Sequence, residues 1–526
     1  MSAALLLLLV GMAAWSDMRT VATARRLVSE TADEAALAAA RNADGIRTTV
    51  RHVIESRAES RLQADVKSGI LRGDTFVEQS QGGNIVRVTV SGQAVLPFGA
   101  FVGYKYWPVA ATAMARRTGV VGLAIKGMAA PGNDAIAGAI EQALFGNGVH
   151  LDIDDRRVLS QVSIALPDLV SRLEAAETAD APPDLDQILR TRFGPGKVLT
   201  AAADQLAAQA NLSAFDAAAV AALRRLAEHG AQPGTEVELG SIFGFASGLK
   251  ASEVGFPQEL LSIRAIDLVG GLLRAILAEA PVSVTVVNPL DGIDLVDLDL
   301  STAKSAEGTV AALVASEGST IATAPMRIAA RVKVRGIAIA DAVEFTLPVE
   351  VRLSAGDAVV RTIQCDGKGS DITVDGRPVR ASLAIFKPAD SEADGAADSK
   401  YVPLIATDTV IAWGQGSESF ADDPPITIVF PTAASGPTMR SLRAPIDLRN
   451  RLGKLAGDAD IVVTFKRPQP DMTESGVRAD LAQAINDKAD GLNEIFSSAF
   501  ATFGVKPGQM DLSVSGVSCA TSQLVD

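Results

Sequence analysis

The side chains with chemistry to offer are few and scattered. The chain holds two cysteines, Cys365 and Cys519, and three histidines, His52, His150 and His229. No two of the five share a zinc-ligand spacing such as C-x-x-C. The cysteines read as a disulfide if the bulk of the chain lies in an oxidising compartment, and as two buried thiols if it does not. A bridge would close a loop of about 150 residues and contribute roughly 5 kcal/mol in the chain-entropy model. The carboxylates Asp291, Asp294, Asp297 and Asp299, in DGIDLVDLDL, have the density a hard cation wants. Ile293, Leu295, Leu298 and Leu300 interleave with them, so they read instead as the solvent side of strands, and the spacing is not that of an EF-hand loop. Asp152, Asp154 and Asp155 are neutralised locally by Arg156 and Arg157.

The histidines stand alone. His52 falls on a predicted exposed helix, and His150 follows the turn-like Gly146-Asn147-Gly148. His229 sits at a predicted helix carboxyl end, where an imidazolium suits the helix dipole. Neither G-x-S-x-G, H-E-x-x-H, a phosphate-binding loop nor a dinucleotide fingerprint occurs. These residues predict no catalytic, cofactor-binding or metal site. The chain reads as one that acts by interaction and not as an enzyme. Its rival, a periplasmic hydrolase with a dispersed site, would need a pocket gathering His150 or His229 with a hydroxyl and a carboxylate.

The composition is that of a folded protein. Of 526 residues, 48% are hydrophobic and 21% charged, and aromatics at 4% leave the cores to Ala, Val, Leu and Ile. A net charge of −14 argues against a nucleic-acid partner, since phosphate binding needs a basic footprint. Ser2 to Trp15 (SAALLLLLVGMAAW) carries no charge, and its fourteen residues fall short of the roughly 18–20 of a spanning helix. Three readings compete for it. The first is a transmembrane helix whose start is truncated; the second is a signal core cleaved near Ala22-Thr23-Ala24. The third, a soluble helix, is disfavoured because five consecutive leucines leave no polar face. Arg19, Arg25 and Arg26 alone would place the following chain inside by the charge-bias rule. The opposite orientation is expected because upstream basic residues would be missing from a truncated start. A second apolar stretch, Leu260 to Ala278, contains Arg264, Asp267 and Arg274 and reads as a buried helix.

Thr20 to about Arg61, without Pro and rich in Ala, Arg and Glu, predicts an amphipathic helical stalk of the kind found in pilin-type subunits. Ile85 to Val90 alternates as a strand, with Val86, Val88 and Val90 on one face. Residues 110–280 are predominantly helical. Val158, Val162, Leu166, Leu169 and Leu173 recur at helical spacing, with Pro167 as a kink or boundary. Phe215, Ala219, Leu223 and Leu226 form a stripe between Ser213 as N-cap and Gly230 as stop. From Pro281 the period becomes two: Val282, Val284 and Val286, then Phe345 to Leu353, where Pro348 suggests an edge strand. Residues 389–400 read as a polar loop, Val477 to Phe503 as one amphipathic helix, and Asp511 to Cys519 as a strand. The fold class is α+β, with an N-terminal membrane helix and stalk, a helical first half and a β-rich second half. The domain reading is 1–16 anchor or export segment, 17–80 stalk, 81–280 mainly helical domain, and 281–526 β-rich periplasmic domain with a carboxyl-terminal helix.

Several stretches, in order, resemble TadG-like proteins of the Flp (tight-adherence) pilus-assembly group. After the anchor, Ser29 to Ala40 (SETADEAALAAA) is similar to that family's post-membrane alanine-rich signature, with Glu34 replacing a small residue. Val86 to Gly103 (VRVTVSGQAVLPFGAFVG) and Ala143 to Leu173 resemble its next segments, and the surroundings of Cys365 and Cys519 its last two. The chain departs from the family in lacking the basic stretch before the membrane helix. Val120 to Ala129 also lacks the D-x-S-x-S metal-adhesion motif, so adhesion through a divalent cation is not expected. The resemblance implies a single-pass inner-membrane protein with its bulk in the periplasm. It would contact pilin-like or secretion-machinery proteins, without a cofactor. A structural envelope protein unrelated to pili is the other alternative.

Overall fold

The computed structural model describes residues 2–42, 45–57, 62–72, 75–79, 85–126, 133–146, 150–175, 185–209, 213–229, 235–245, 262–303, 310–339, 342–354, 356–364, 371–385, 402–418, 424–431, 438–444, 448–467 and 471–525. α1 (Ser2–Arg41) is one unbroken helix of 40 residues. Its carboxyl-terminal half buries Val28, Thr31, Ala32, Ala35, Ala36, Ala39 and Ala40, a stripe at three- and four-residue spacing. The small side chains let the helix lie close on an antiparallel sheet built of β1 (Gln63–Arg72), β2 (Thr75–Glu78), β3 (Ile85–Val95) and β4 (Tyr106–Lys126). β3 supplies Val86, Val88 and Val90 to the same core, on the face its alternation predicts.

The predicted stalk differs from this arrangement. The helix stops at Arg41, and α2 (Ile46–Ser56) follows after Gly45 and packs on α1, held there by the Glu34–Arg57 ion pair. β1 and β2 occupy the rest of the stretch read as stalk. Glycine is the poorest helix former after proline, and a break of a few residues leaves the apolar period on either side intact. The sequence pattern therefore hides the turn.

β4 joins the parts of the molecule. Its first half pairs with β3 beneath α1; its second half pairs with the carboxyl-terminal strand Gln509–Val525 on one edge and Ala312–Ala315 on the other. Alternation then sends its side chains into two cores. Val121, Leu123 and Ile125 pack with a four-stranded sheet that includes Ile372, Val374 and Phe430, while Val120 and Ala124 join the core of the helical region. The stretch 81–280 thus opens with two long strands before its helices begin.

In the helical region Ser213 caps Ala214–Glu228 through a reciprocal capping box with Asp216. Ala219, Leu223 and Leu226 are buried, but Phe215 is exposed, and Gly230 lies outside the described residues. The period running from Val158 to Leu173 is broken by a short strand, Ser163–Ala165, paired with Ser262–Arg264; Pro167 stands at the start of the helix that follows. Ala265–Glu279 is the predicted buried helix, its Asp267 held by Arg264 at 2.6 Å. Among the described residues no helix is long and apolar enough to cross a membrane.

The later half is β-rich, as its period predicts. Strands 282–290, 293–302, 326–339, 342–353 and 381–385 run in order as an antiparallel meander. Ala342–Leu353 is an internal strand and not the edge suggested by Pro348. Toward its second neighbour the described pairing runs from Val349 to Leu353. The predicted terminal helix is two, Glu474–Asp487 and Ala489–Thr502, broken at Lys488 and followed by Gly504 at φ 69°. The predicted loop at 389–400 lies outside the described residues.

In the four-stranded sheet, Asp375 accepts hydrogen bonds from Thr427 Oγ1 at 2.6 Å and Arg361 Nε at 2.5 Å. The Thr427 hydroxyl first, and Arg361 second, hold its carboxyl below the ordinary aspartate range. A depressed folded-state value adds stability above the unfolded value, lost as pH falls through the folded one. Asp375→Asn is therefore expected to show a shallower fall of urea midpoint below about pH 4 than wild type.

Candidate membrane-interface site

Aromatic residues are rare in this chain, yet two of its three tryptophans and two of its three tyrosines, Trp15, Trp107, Tyr104 and Tyr106, stand exposed on α1 and on the β3–β4 hairpin tied to it. Phe98 and Phe101 join them. Trp15 lies on α1 at the end of the apolar run; Phe98, Phe101 and Tyr104 lie on the tip joining β3 to β4, and Tyr106 and Trp107 open β4. Helix and tip are tied directly, because the Phe98 backbone N–H donates to Asp17 Oδ1 at 3.1 Å.

The tip is an ordered turn. Leu96 N–H donates to the Lys105 carbonyl at 3.0 Å, closing the hairpin, and Tyr104 N–H donates to the Gly99 carbonyl at 2.9 Å. Gly99–Val102 forms a single 3₁₀ turn, and Gly103 ends it at φ 89°, a conformation that glycine adopts without strain. Leu96 turns inward and is buried. The aromatic side chains turn outward: Phe101 is 86% exposed, Tyr104 67% and Trp15 64%, with Met12 and Met18 beside Trp15 on α1 also exposed.

Charge at the site opposes that of the whole chain. Along α1 to Val28 and along the tip from Val95 to Trp107 stand Arg19, Arg25, Arg26 and Lys105, against the single acid Asp17. Arg19 lies 5.6 Å from the centre of the Trp15 ring, and Lys105 5.5 Å from that of Tyr106. Both are within reach of a cation–π attraction. Sequence reasoning saw this stretch only as a strand and a glycine-containing segment. The signal it passed over was the gathering of scarce Trp and Tyr within a few residues of Gly99 and Gly103.

The residues singled out from the sequence go elsewhere. His150 does meet a carboxylate: its Nδ1 lies 3.4 Å from Glu141 Oε2. Glu141 belongs to α3 (Asp134–Phe145) and is buried. It also accepts from Arg156 Nη2 at 2.5 Å, on α4 (Ile153–Gln161), and from Leu151 N–H at 2.9 Å. Burial pushes its carboxyl up, while Arg156 and the Leu151 N–H pull it back. Beside it Arg274, half-buried, donates to the Phe503 carbonyl. The space these groups leave is about 20 Å³, room for a single water molecule and not for an organic substrate. Among the described residues no hydroxyl is hydrogen-bonded to His150. The cluster therefore reads as a polar tie between helices. Glu141→Ala, which strands the Arg156 charge, is expected to cost roughly 3–5 kcal/mol, measured as a shift in urea midpoint; Glu141→Gln, which keeps an acceptor for Leu151, should cost less.

His52 is exposed on α2, and His229 caps the carboxyl end of Ala214–Glu228 in the open. The four aspartates line one hairpin. Asp297 accepts from Thr285 Oγ1 at 2.7 Å and Asp299 from Ser283 Oγ at 2.6 Å, while Asp294 pairs with Arg335 at 2.7 Å. Asp291 stands in the turn between the two strands. Asp152 caps α4, and Asp155 pairs with Arg225. Among the described residues no group of three or more potential ligands could hold a metal ion. Cys519, in the carboxyl-terminal strand, is disulfide-bonded, and the chain's other cysteine, Cys365, lies outside the described residues. No protein-family model, curated protein or solved structure matches this chain.

Proposed function

We propose that this chain is a single-pass inner-membrane protein of the bacterial cell envelope, with its body in the periplasm, acting by protein interaction in the assembly of Flp-type pili. One observation carries the membrane reading. α1 is a single helix whose second half is part of the folded body and whose first half is the leucine-rich run, with exposed Trp and Met at the joint. An apolar helix rigidly continuous with a folded domain is what an anchor requires.

The same continuity favours an anchor over a cleaved signal. Ala22-Thr23-Ala24 lies within the helix, and Val21 and Ala24 pack against the α1–sheet core. Cleavage there would cut into that packing. The disulfide at Cys519 accords with an oxidising compartment. The assignment to pilus assembly rests on the resemblance of the ordered segments to TadG-like proteins. The alanine-rich signature among them supplies the face of α1 that seats on the sheet.

Deleting the gene and quantifying sheared surface fibres against wild type tests the assembly role. Loss of fibres, restored by the intact gene, is expected. Unchanged fibre yield in the deletion strain would overturn it.

A further inference from the structure

We propose that the aromatic tip of the β3–β4 hairpin is a second membrane contact, seated in the phospholipid headgroup region of the bilayer that holds α1. The inference rests on the reading of α1 as an anchor and adds to it a peripheral site on the folded body. Exposed aromatic rings also suit a protein partner, so the choice of lipid needs its own grounds.

The first is continuity. Trp15 closes the apolar run of α1, and Asp17, two residues on, holds the tip through the Phe98 N–H. A helix that carries its apolar run into a bilayer brings the tip to the interface without any hinge. The second is side-chain type. Trp and Tyr combine an apolar ring with a polar atom, and they concentrate where hydrocarbon gives way to headgroups. Most of this chain's Trp and Tyr stand here, whereas the aromatic side chains buried in its described cores are all Phe. The third is charge. Arg19, Arg25, Arg26 and Lys105 give a cationic rim in a chain of net charge −14, which suits anionic headgroup phosphates. Of the acids beside these cations, Asp17 is engaged with the tip's backbone and Glu30 pairs with Arg26 at 2.8 Å, so the rim's charge rests chiefly on Arg19, Arg25 and Lys105.

Shape supports insertion as well. The turn is closed by its own backbone hydrogen bonds, so docking orders little that is not already ordered. Phe101, the most exposed ring, stands on the 3₁₀ turn of the loop. The tip would act as a stop that fixes the tilt of the body relative to the bilayer.

The test uses the full chain reconstituted into phosphatidylethanolamine–phosphatidylglycerol vesicles, with Trp107 left as sole emitter by Trp15→Phe and Trp413→Phe. Co-flotation with the vesicles reports the anchor; quenching by phospholipids brominated along the acyl chain reports the tip. The expected result is co-flotation, a blue-shifted Trp107 emission, and loss of most of that emission with bromines near the headgroup. In the native tryptophan background, Phe101→Ser with Tyr104→Ser should weaken quenching while flotation stays unchanged. That pair also guards against a misfolded single-tryptophan variant, since both side chains are exposed. Co-flotation with an unquenched, iodide-accessible Trp107 would overturn the tip contact and leave the anchor standing. An unquenched Trp107 whose iodide shielding grows with protein concentration would overturn it in favour of a second copy. Failure to float would remove the anchor reading and the tip contact together.

Discussion

Introducing two charges into the apolar run, Leu7→Arg with Leu8→Arg, is expected to shift the protein from the alkali-extracted membrane pellet to the soluble fraction. Each arginine costs roughly 2.5–3.5 kcal/mol near the centre of a spanning helix, so the pair costs about 5–7 kcal/mol. That is a loss of several powers of ten in membrane partition. The body should be untouched, because the packing of α1 on the sheet, from Val21 and Ala24 through the stripe Val28 to Ala40, is left intact. The extracted variant should keep the wild-type near-ultraviolet circular dichroism and urea midpoint. Retention in the pellet would mean that the membrane association lies elsewhere in the chain.

The second large effect concerns Cys519. It sits on the strand Gln509–Val525, which pairs with β4 along the seam that joins the α1 sheet to the rest of the molecule. A bridge to the chain's other cysteine would close a loop of about 150 residues, and its removal is expected to cost about 2–5 kcal/mol. The Cys519 carbonyl, which accepts from Arg117 Nε at 2.7 Å, is a backbone group and survives substitution. Cys519→Ser should therefore lower the urea midpoint of oxidised protein, and reductant should bring wild type down to the same value. A midpoint equal in both proteins under oxidising conditions would show that the bridge adds nothing to stability.

What the sequence displayed, and what it hid, follows from the range of the forces involved. Alternation in Val86, Val88 and Val90, or from Phe345 to Leu353, is a local consequence of burial on one face, and those strands stand where their period places them. The capping box at Ser213 is equally local. The turn after Arg41 and the break at Lys488 were not visible, because the apolar period runs across both. Pro348 misled for a different reason: whether a strand has a second neighbour is set by tertiary pairing, which the local residue does not record. The candidate site was half legible. The leucine run announced itself, but the tie between the hairpin tip and α1 through Phe98 and Asp17 depends on β3 and β4 returning the chain to the side of α1. No spacing in the sequence measures that distance. The Glu141–His150–Arg156 cluster, by contrast, lies within one short stretch, yet its burial comes from packing of α3 and α4 and carries no periodic mark.

The central claim, an α1 anchor with the folded body on the periplasmic side, is tested most directly by protease accessibility in spheroplasts. The reading predicts that externally added protease removes the body while a cytoplasmic marker stays intact. A body protected in intact spheroplasts, and digested only after lysis, would contradict it and place Arg19, Arg25 and Arg26 on the cytoplasmic face, as the charge-bias rule alone would have them.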